Sequence, residues 1–272
     1  MKKIIVKENG ELFQYLKENL NESKNNIKSF LKNNSIKVNG KIVNAYDYPL
    51  KIDDVISIGN NFINFLDYSI EIIYEDKDII IVNKPYNLLT ISTEKEKDVT
   101  LYKIVSDYIK KENKNNKIFI VHRLDRDTSG IIVFAKNIKT KDELQSKWDS
   151  VKRYYIGVVH GTSKDKDIIE VKLKENPKTF MTYVSQDGVD SITNYQRLKN
   201  NKDKSMLLIE ILTGKKNQIR VSLAYRELPL LGDKKYGLKD SYKRLYLHAY
   251  KLIINNKEYV ADIPKEFERE FV

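Results

Sequence analysis

Two spacings of apolar residues organise this chain. Leu12, Phe13, Leu16 and Leu20 share one helical face, and Ile27, Phe30 and Leu31 repeat the pattern behind Ser23, a good helix cap. Strand alternation follows. IKVNGKIV reads as a hairpin turning at Asn39-Gly40, and Val55 to Ile58 closes the segment after an Asp53-Asp54 turn. Beyond residues 59–69 the run IEIIYEDKDIIIVNKP predicts two strands around a charged turn. Leu101, Ile104, Val105, Tyr108 and Ile109 then predict a helix. Strands are expected at 118–121, 131–135, 153–159, 167–173, 191–198, 205–212 and 245–253. Many strands joined by hairpins and mixed with helices give an α+β class with a mixed, largely antiparallel sheet. The pattern divides at the 59–69 link into a small α+β domain, 1–62, and a larger one, 63–272.

Composition narrows the possibilities. At 272 residues and 41% hydrophobic content the chain can bury a proper core. A formal charge of +11 favours a polyanionic partner, although Lys and Asn are abundant even in loops such as Lys110 to Lys117. The distribution is more telling: five lysines and no acidic residue lie between Lys24 and Lys41. Absence of cysteine excludes disulfides, thiolate zinc sites and cysteine nucleophiles. His122, His160 and His248 are far apart and suggest no metal site. The apolar run in MKKIIVKENGE is too short for a secretory signal, and no stretch approaches the roughly 18 apolar residues of a membrane span. A soluble, cytoplasmic protein is expected.

The chemistry concentrates in His122-Arg123-Leu124-Asp125-Arg126-Asp127-Thr128-Ser129-Gly130, a charged loop between two apolar β-branched runs. Loops held by a rigid sheet are where binding and catalytic groups gather. Arginines beside a carboxylate favour its ionised form, which suits a nucleophile or base rather than a general acid. A structural Asp–Arg turn network would use the same residues.

The longer segment HRLDRDTSGIIVFAKN resembles the central signature of the RluA-type pseudouridine synthases, HRLDxxTSGxxxxAK. The resemblance implies a pseudouridine-synthase-like catalytic domain that isomerises uridine in RNA: the base is detached, rotated and rejoined to the sugar through carbon. It implies catalysis by Asp125 and an RNA-facing wedge at Arg123 that props the gap left by an extruded base. Extrusion is needed because a stacked base cannot be reached. Arg153-Tyr154-Tyr155-Ile156-Gly157-Val158-Val159-His160-Gly161 resembles the family's K-x-Y-x-A-x-V-x-G. Counting back from Gly161 places the active-site tyrosine at Tyr155 rather than Tyr154, its neighbour on the opposite strand face. Thr213-Gly214-Lys215-Lys216-Asn217-Gln218-Ile219-Arg220-Val221-Ser222 resembles T-G-R-x-H-Q-I-R-x-H, with Lys215, Asn217 and Ser222 as departures. Arg220 is retained as the arginine that pairs with the catalytic Asp. Pro229 and Gly232-Asp233-Lys234-Lys235-Tyr236-Gly237 complete that motif, and Lys84-Pro85 matches the family's first motif with Asn87 in place of Gly. The R-L-x-L-H-A likeness at 244–249 implies a structural His248.

Residues 10 to 58 are similar to the RNA-binding domain named after small-subunit ribosomal protein S four, with Asp53 where its turn carries Gly. That likeness implies phosphate-facing lysines at Lys24, Lys28, Lys32 and Lys37. Lys84, Lys215 and Asn217 are further RNA-binding candidates. Ribosomal RNA is the favoured partner, with tRNA second and no membrane. Neither metal nor cofactor is implied. Asp125 could attack the sugar carbon, attack the uracil ring, or remove the sugar's 2′ proton; sequence leaves all three open. Two other readings remain: a non-catalytic RNA-binding or ribosome-assembly protein of the same fold, and a glycosidase or nuclease built on Asp125 and Asp127.

Overall fold

The computed structural model describes residues 2–32, 35–39, 41–58, 70–93 and 99–272, with the side chains of 2, 41 and 42 left aside. The expected domain boundary at 62/63 and the Gly40 half of the hairpin turn lie outside the described residues. Two units emerge, Met1–Tyr68 and Ser69–Val272.

In the first unit the elements run β1 (Lys2–Ile5), β2 (Gly10–Glu11), α1 (Leu12–Asn19), α2 (Lys24–Lys32), β3 (Ile36–Val38), β4 (Lys41–Ile42), β5 (Pro49–Leu50) and β6 (Val55–Ile58). The order β1-β6-β3-β4 forms an antiparallel sheet, and β2 pairs with β5. Leu12, Leu16, Ile27, Leu31, Ile36 and Ile56 fill the core between helices and sheet, so the helical period seen in sequence is the buried face. Ser23 caps α2, its Oγ accepting from the Asn26 amide at 3.2 Å. Asn39 takes φ +50°, accepts from the Val55 amide at 2.8 Å and donates to Asp54 Oδ1 at 2.7 Å. Asp53 takes φ +70°, the conformation for which a glycine would be the easier choice.

The second unit continues with β7 (Glu71–Glu75), β8 (Ile79–Lys84), α3 (Leu101–Ile109), β9 (Phe119–Ile120), β10 (Ser129–Ala135) and α4 (Ile138–Ser146). After a 3-10 turn at Trp148–Ser150 come β11 (Lys152–His160), β12 (Lys166–Glu175), β13 (Thr182–Val184), β14 (Val189–Asn200) and β15 (Lys204–Ile211). Then α5 (Gln218–Tyr225), β16 (Leu247–Ile254), β17 (Lys257–Val260) and α6 (Lys265–Arg269) complete it. One sheet runs β13-β12-β14-β15-β11-β16-β10-β8-β7, with β17 added on β16 and β9 on β10. Only β10 and β16 pair in parallel among the named strands of the described residues, which gives the mixed, largely antiparallel α+β sheet expected.

Every residue of β10 is buried, as its unbroken apolar run requires. Where β10 meets β16, Gly130 takes φ +114°, and a Cβ there would stand 2.1 Å from the Ala249 carbonyl oxygen. Glycine is obligatory for the loop to re-enter the sheet at this point. The two faces of β11 serve different layers. Tyr155 and Val159 pack with Leu223 of α5; Ile156 and Val158 join Phe267 of α6.

Candidate active site

The loop between β9 and β10 carries Asp125 out of the sheet, and buried side chains fix its backbone on both sides. Thr90 Oγ1 donates to the Leu124 carbonyl at 2.8 Å and accepts from the Leu124 amide at 3.2 Å. Lys84 Nζ donates to the carbonyls of Pro85 (2.9 Å), Leu88 (2.8 Å) and Arg126 (3.0 Å). An ammonium has three donors, and all three are used. Burial pushes Lys84 down to about 7 against the pull of Asp127 and Asp125. With 0% exposure Lys84 cannot meet a phosphate, so its assignment as an RNA-binding residue is corrected: it ties this loop to the turn where Asn87 takes φ +58°. The asparagine thus adopts the conformation of the glycine it replaces.

His122 Nε2 accepts from the Val133 amide at 3.1 Å, and its ring stacks on Trp148 at 4.4 Å. Burial, with Arg153 nearby, pushes His122 down to about 3, so it is a neutral anchor at physiological pH. His248 is 1% exposed, its Nδ1 lies 2.8 Å from Ser129 Oγ, and burial pushes it down to about 4. That position behind β10 is a structural one.

A cavity of about 440 Å³ opens over the loop, lined by Arg123, Asp125, Trp148, Tyr155, Asn217 and Arg220 among others. Three separate elements therefore converge: the 122–128 loop brings Asp125, β11 brings Tyr155, and α5 brings Arg220. Tyr154 does not line it; that ring stands under Lys251 Nζ at 5.0 Å. Burial pushes the Tyr155 phenol up to about 12; Arg153 opposes the rise and Asp125 adds to it. Tyr155 is a protonated phenol at neutral pH.

Arg220 is 3% exposed and has a tighter partner than expected. Its Nε and Nη2 donate to the two carboxylate oxygens of Asp233 at 2.8 and 2.5 Å, a fork-to-fork pair. Nη1 donates to Asn217 Oδ1 at 3.2 Å and lies 3.7 Å from Asp125 Oδ2. The expected pairing of Arg220 with Asp125 is thus a charge contact without a hydrogen bond. Burial would raise Asp233, but Arg220 and the amides of Lys235 and Tyr236 outweigh it and hold the carboxyl below its usual range. Sequence alone assigns Asp233 no role beyond membership of a Gly-Asp turn motif. That turn was the signal, and the fork to Asp233 fixes the direction of the Arg220 guanidinium.

The altered motif at 213–222 keeps its architecture through Gln218. Its Nε2 donates to Ile192 O at 2.9 Å, and its Oε1 accepts from Thr213 Oγ1 and the Lys215 amide, each at 2.9 Å. Asn217 sits at φ +54° and bridges Arg220 and Tyr236, donating to Tyr236 Oη at 3.2 Å. Ser222 is buried and accepts from Thr193 Oγ1 at 3.4 Å. Lys215 and Arg123 are exposed on the cavity wall.

Lys24, Lys28 and Lys32 are exposed along α2 of the first unit. Lys37 is 9% exposed within β3, far less open than the lysines of α2. Among the described residues no group of three or more His, Asp or Glu is placed to hold a metal, and no helix is long and apolar enough to cross a membrane.

Comparison with known proteins places the chain among relatives. Residues 78–225, which carry both the Asp125 loop and Arg220, match the family model described as RNA pseudouridylate synthase. The chain is 37% identical to ribosomal large subunit pseudouridine synthase D of Borreliella burgdorferi over 73% of this chain and 66% of that one. It is 32% identical to an uncharacterized RNA pseudouridine synthase of Mycoplasma capricolum over 93% and 91%. The structure of human RNA pseudouridylate synthase domain containing 4 superposes with TM-score 0.63 at 20% identity, covering 72% of this chain and 90% of that one, which speaks for the fold. The family match, the relatives and the fold agree: this chain belongs to the RNA pseudouridylate synthase family, isomerases that turn uridine in RNA into pseudouridine.

Proposed function

We propose that this enzyme acts on ribosomal RNA of the large subunit, drawing a uridine out of its stack into the cavity and isomerising it with Asp125. The convergence of Asp125, Tyr155 and Arg220 on one cavity carries the reading. The loop holding Asp125 is fixed before substrate arrives, as an effective carboxylate needs. Asp125 acts on the bond between sugar and base. Arg220, itself aimed by Asp233, fixes the field at that carboxylate from 3.7 Å. Tyr155 faces the extruded base and, as a protonated phenol, can donate a hydrogen bond or a proton to it. Arg123, exposed at the wall, stacks into the gap left in the RNA. Lys215 and Asn217 add contacts at the rim and floor.

The ribosomal substrate is supported by the likeness to the Borreliella burgdorferi protein named ribosomal large subunit pseudouridine synthase D. Such a substrate places the enzyme in the cytoplasm. The small N-terminal unit serves as an RNA-binding domain of the ribosomal protein S four kind, its Lys24, Lys28 and Lys32 facing phosphates.

Tritium release from carbon-5-labelled uridine tests this reading, since carbon 5 becomes the new attachment point. Ribosomal RNA and tRNA transcripts are offered to wild type and to Asp125→Asn. Release from ribosomal RNA by wild type, falling by more than about a thousandfold in the variant, is expected for loss of a group at the reacting atoms. Release from tRNA alone would move the substrate. Full release by Asp125→Asn would remove Asp125 from the chemistry.

A further inference from the structure

Arg153 lies on β11 two residues before Tyr155, so both project from the same face of the strand, and both line the cavity. The residue is only 4% exposed, yet its Nε and Nη2 find no hydrogen-bond partner among the described residues. A guanidinium is charged at every accessible pH, and a buried cation without a counter-charge is costly. Its third nitrogen is closely approached: a Cβ at Gly214 would stand 3.0 Å from Arg153 Nη1. Gly214 keeps an ordinary negative-φ backbone, so what the glycine provides is room for this guanidinium. Two neighbouring segments thus make space at the wall of the cavity for a cation whose Nε and Nη2 are unmatched among the described residues.

We propose that Arg153 is a binding residue of this site: its Nε and Nη2, buried and without a partner among the described residues, turn to an anionic oxygen of the extruded nucleotide as it enters the cavity that the residue lines. This rests on the function proposed above. Two oxygens have the right chemistry: that of a phosphodiester flanking the nucleotide, and that of the uracil anion once its bond to the sugar has broken. Either would pair with the guanidinium by two charge-assisted hydrogen bonds. Arg153 holds the oxygen, and no bond to it is made or broken.

The test compares wild type with Arg153→Met and Arg153→Lys by single-turnover tritium release, RNA affinity across a salt series, and thermal melting without RNA. Because Nε and Nη2 have no partner among the described residues, Arg153→Met is expected to melt no lower than wild type. A purely structural arginine would lower it, and that outcome overturns the proposal. For a phosphate oxygen, Arg153→Met weakens RNA binding at least about tenfold and lowers the salt slope by about one, with Lys restoring part of both. For the uracil oxygen, affinity holds while the rate at saturating RNA falls by about a hundredfold or more, and Lys recovers little of it. Wild-type rate and affinity in Arg153→Met overturn the inference. If wild type itself converts no uridine, the proposed function fails, and Arg153 is judged by the affinity and melting of its variants.

Discussion

On α2 of the first unit, Lys24, Lys28 and Lys32 stand in solvent, one helical turn apart on a face turned away from the core. Around the Asp125 loop of the second, Lys84, Arg153 and Arg220 are almost wholly withdrawn from it. These are the same residue types under opposite physics. An exposed ammonium keeps its hydration, interacts through a screened field and costs the fold nothing. A buried cation must be matched, and each of the three meets that demand differently: Lys84 with three carbonyls, Arg220 with a carboxylate fork, and Arg153 with no partner among the described residues. Lys84 braces the loop from behind, Arg220 reaches towards Asp125, and Arg153 lines the cavity with two buried donors unpartnered among the described residues.

Removing a partner from a matched cation has its largest expected effect at Asp233. Asp233→Asn leaves Arg220 buried with half its fork unanswered, and opening a buried pair from one side costs about 3–5 kcal/mol. Urea unfolding at neutral pH measures that loss, and a drop in turnover larger than the change in RNA affinity accompanies it. A variant as stable and active as wild type would mean that Asn217 alone aims the arginine.

Lys84→Met separates bracing from binding. The substitution keeps the stem's volume but strands the carbonyls of Pro85, Leu88 and Arg126, and about 3 kcal/mol of stability is expected to go with them. Turnover falls because the Asp125 loop loses its anchor, while the salt dependence of RNA binding stays that of wild type. A lower salt slope would return Lys84 to the phosphate contacts from which its burial removes it.

That reversal shows where sequence is informative and where it stops. Period and turn chemistry place α1 to α3 and the long strands of the sheet, because Ile131 to Ala135 has no other way to hide its side chains and Asn87 and Asp53 have to adopt φ above zero; β1, β13, β17 and α4 to α6, with Arg220 on α5, show no pattern that the sequence reading picks out. Strand parity separates Tyr155 from Tyr154 without coordinates. Lys84 is misjudged from sequence because its partners are three carbonyls whose positions no local pattern records. The Arg220–Asp233 fork escapes for a related reason: thirteen residues separate its members, and only the return of the chain after α5 brings them together. Arg153 is legible as a mild departure from a family lysine, but a missing partner is a property of three dimensions.

The smallest effect belongs to the α2 lysines, and it completes the contrast. Replacing Lys24, Lys28 and Lys32 together by Gln should leave stability within about 0.5 kcal/mol of wild type, as expected of exposed positions on a helix that tolerates glutamine. Turnover at saturating RNA should also be unchanged. Only the salt dependence should move, its slope falling by about one for each phosphate no longer neutralised, with the triple Arg variant restoring it. Affinity then becomes the sole quantity that separates the two regions: buried cations alter the fold or the rate, exposed ones alter the concentration at which RNA is captured. An unchanged slope would make the lysine face of α2 a solvated surface and shift capture of the RNA to the rim of the cavity, where Arg123 and Lys215 stand exposed.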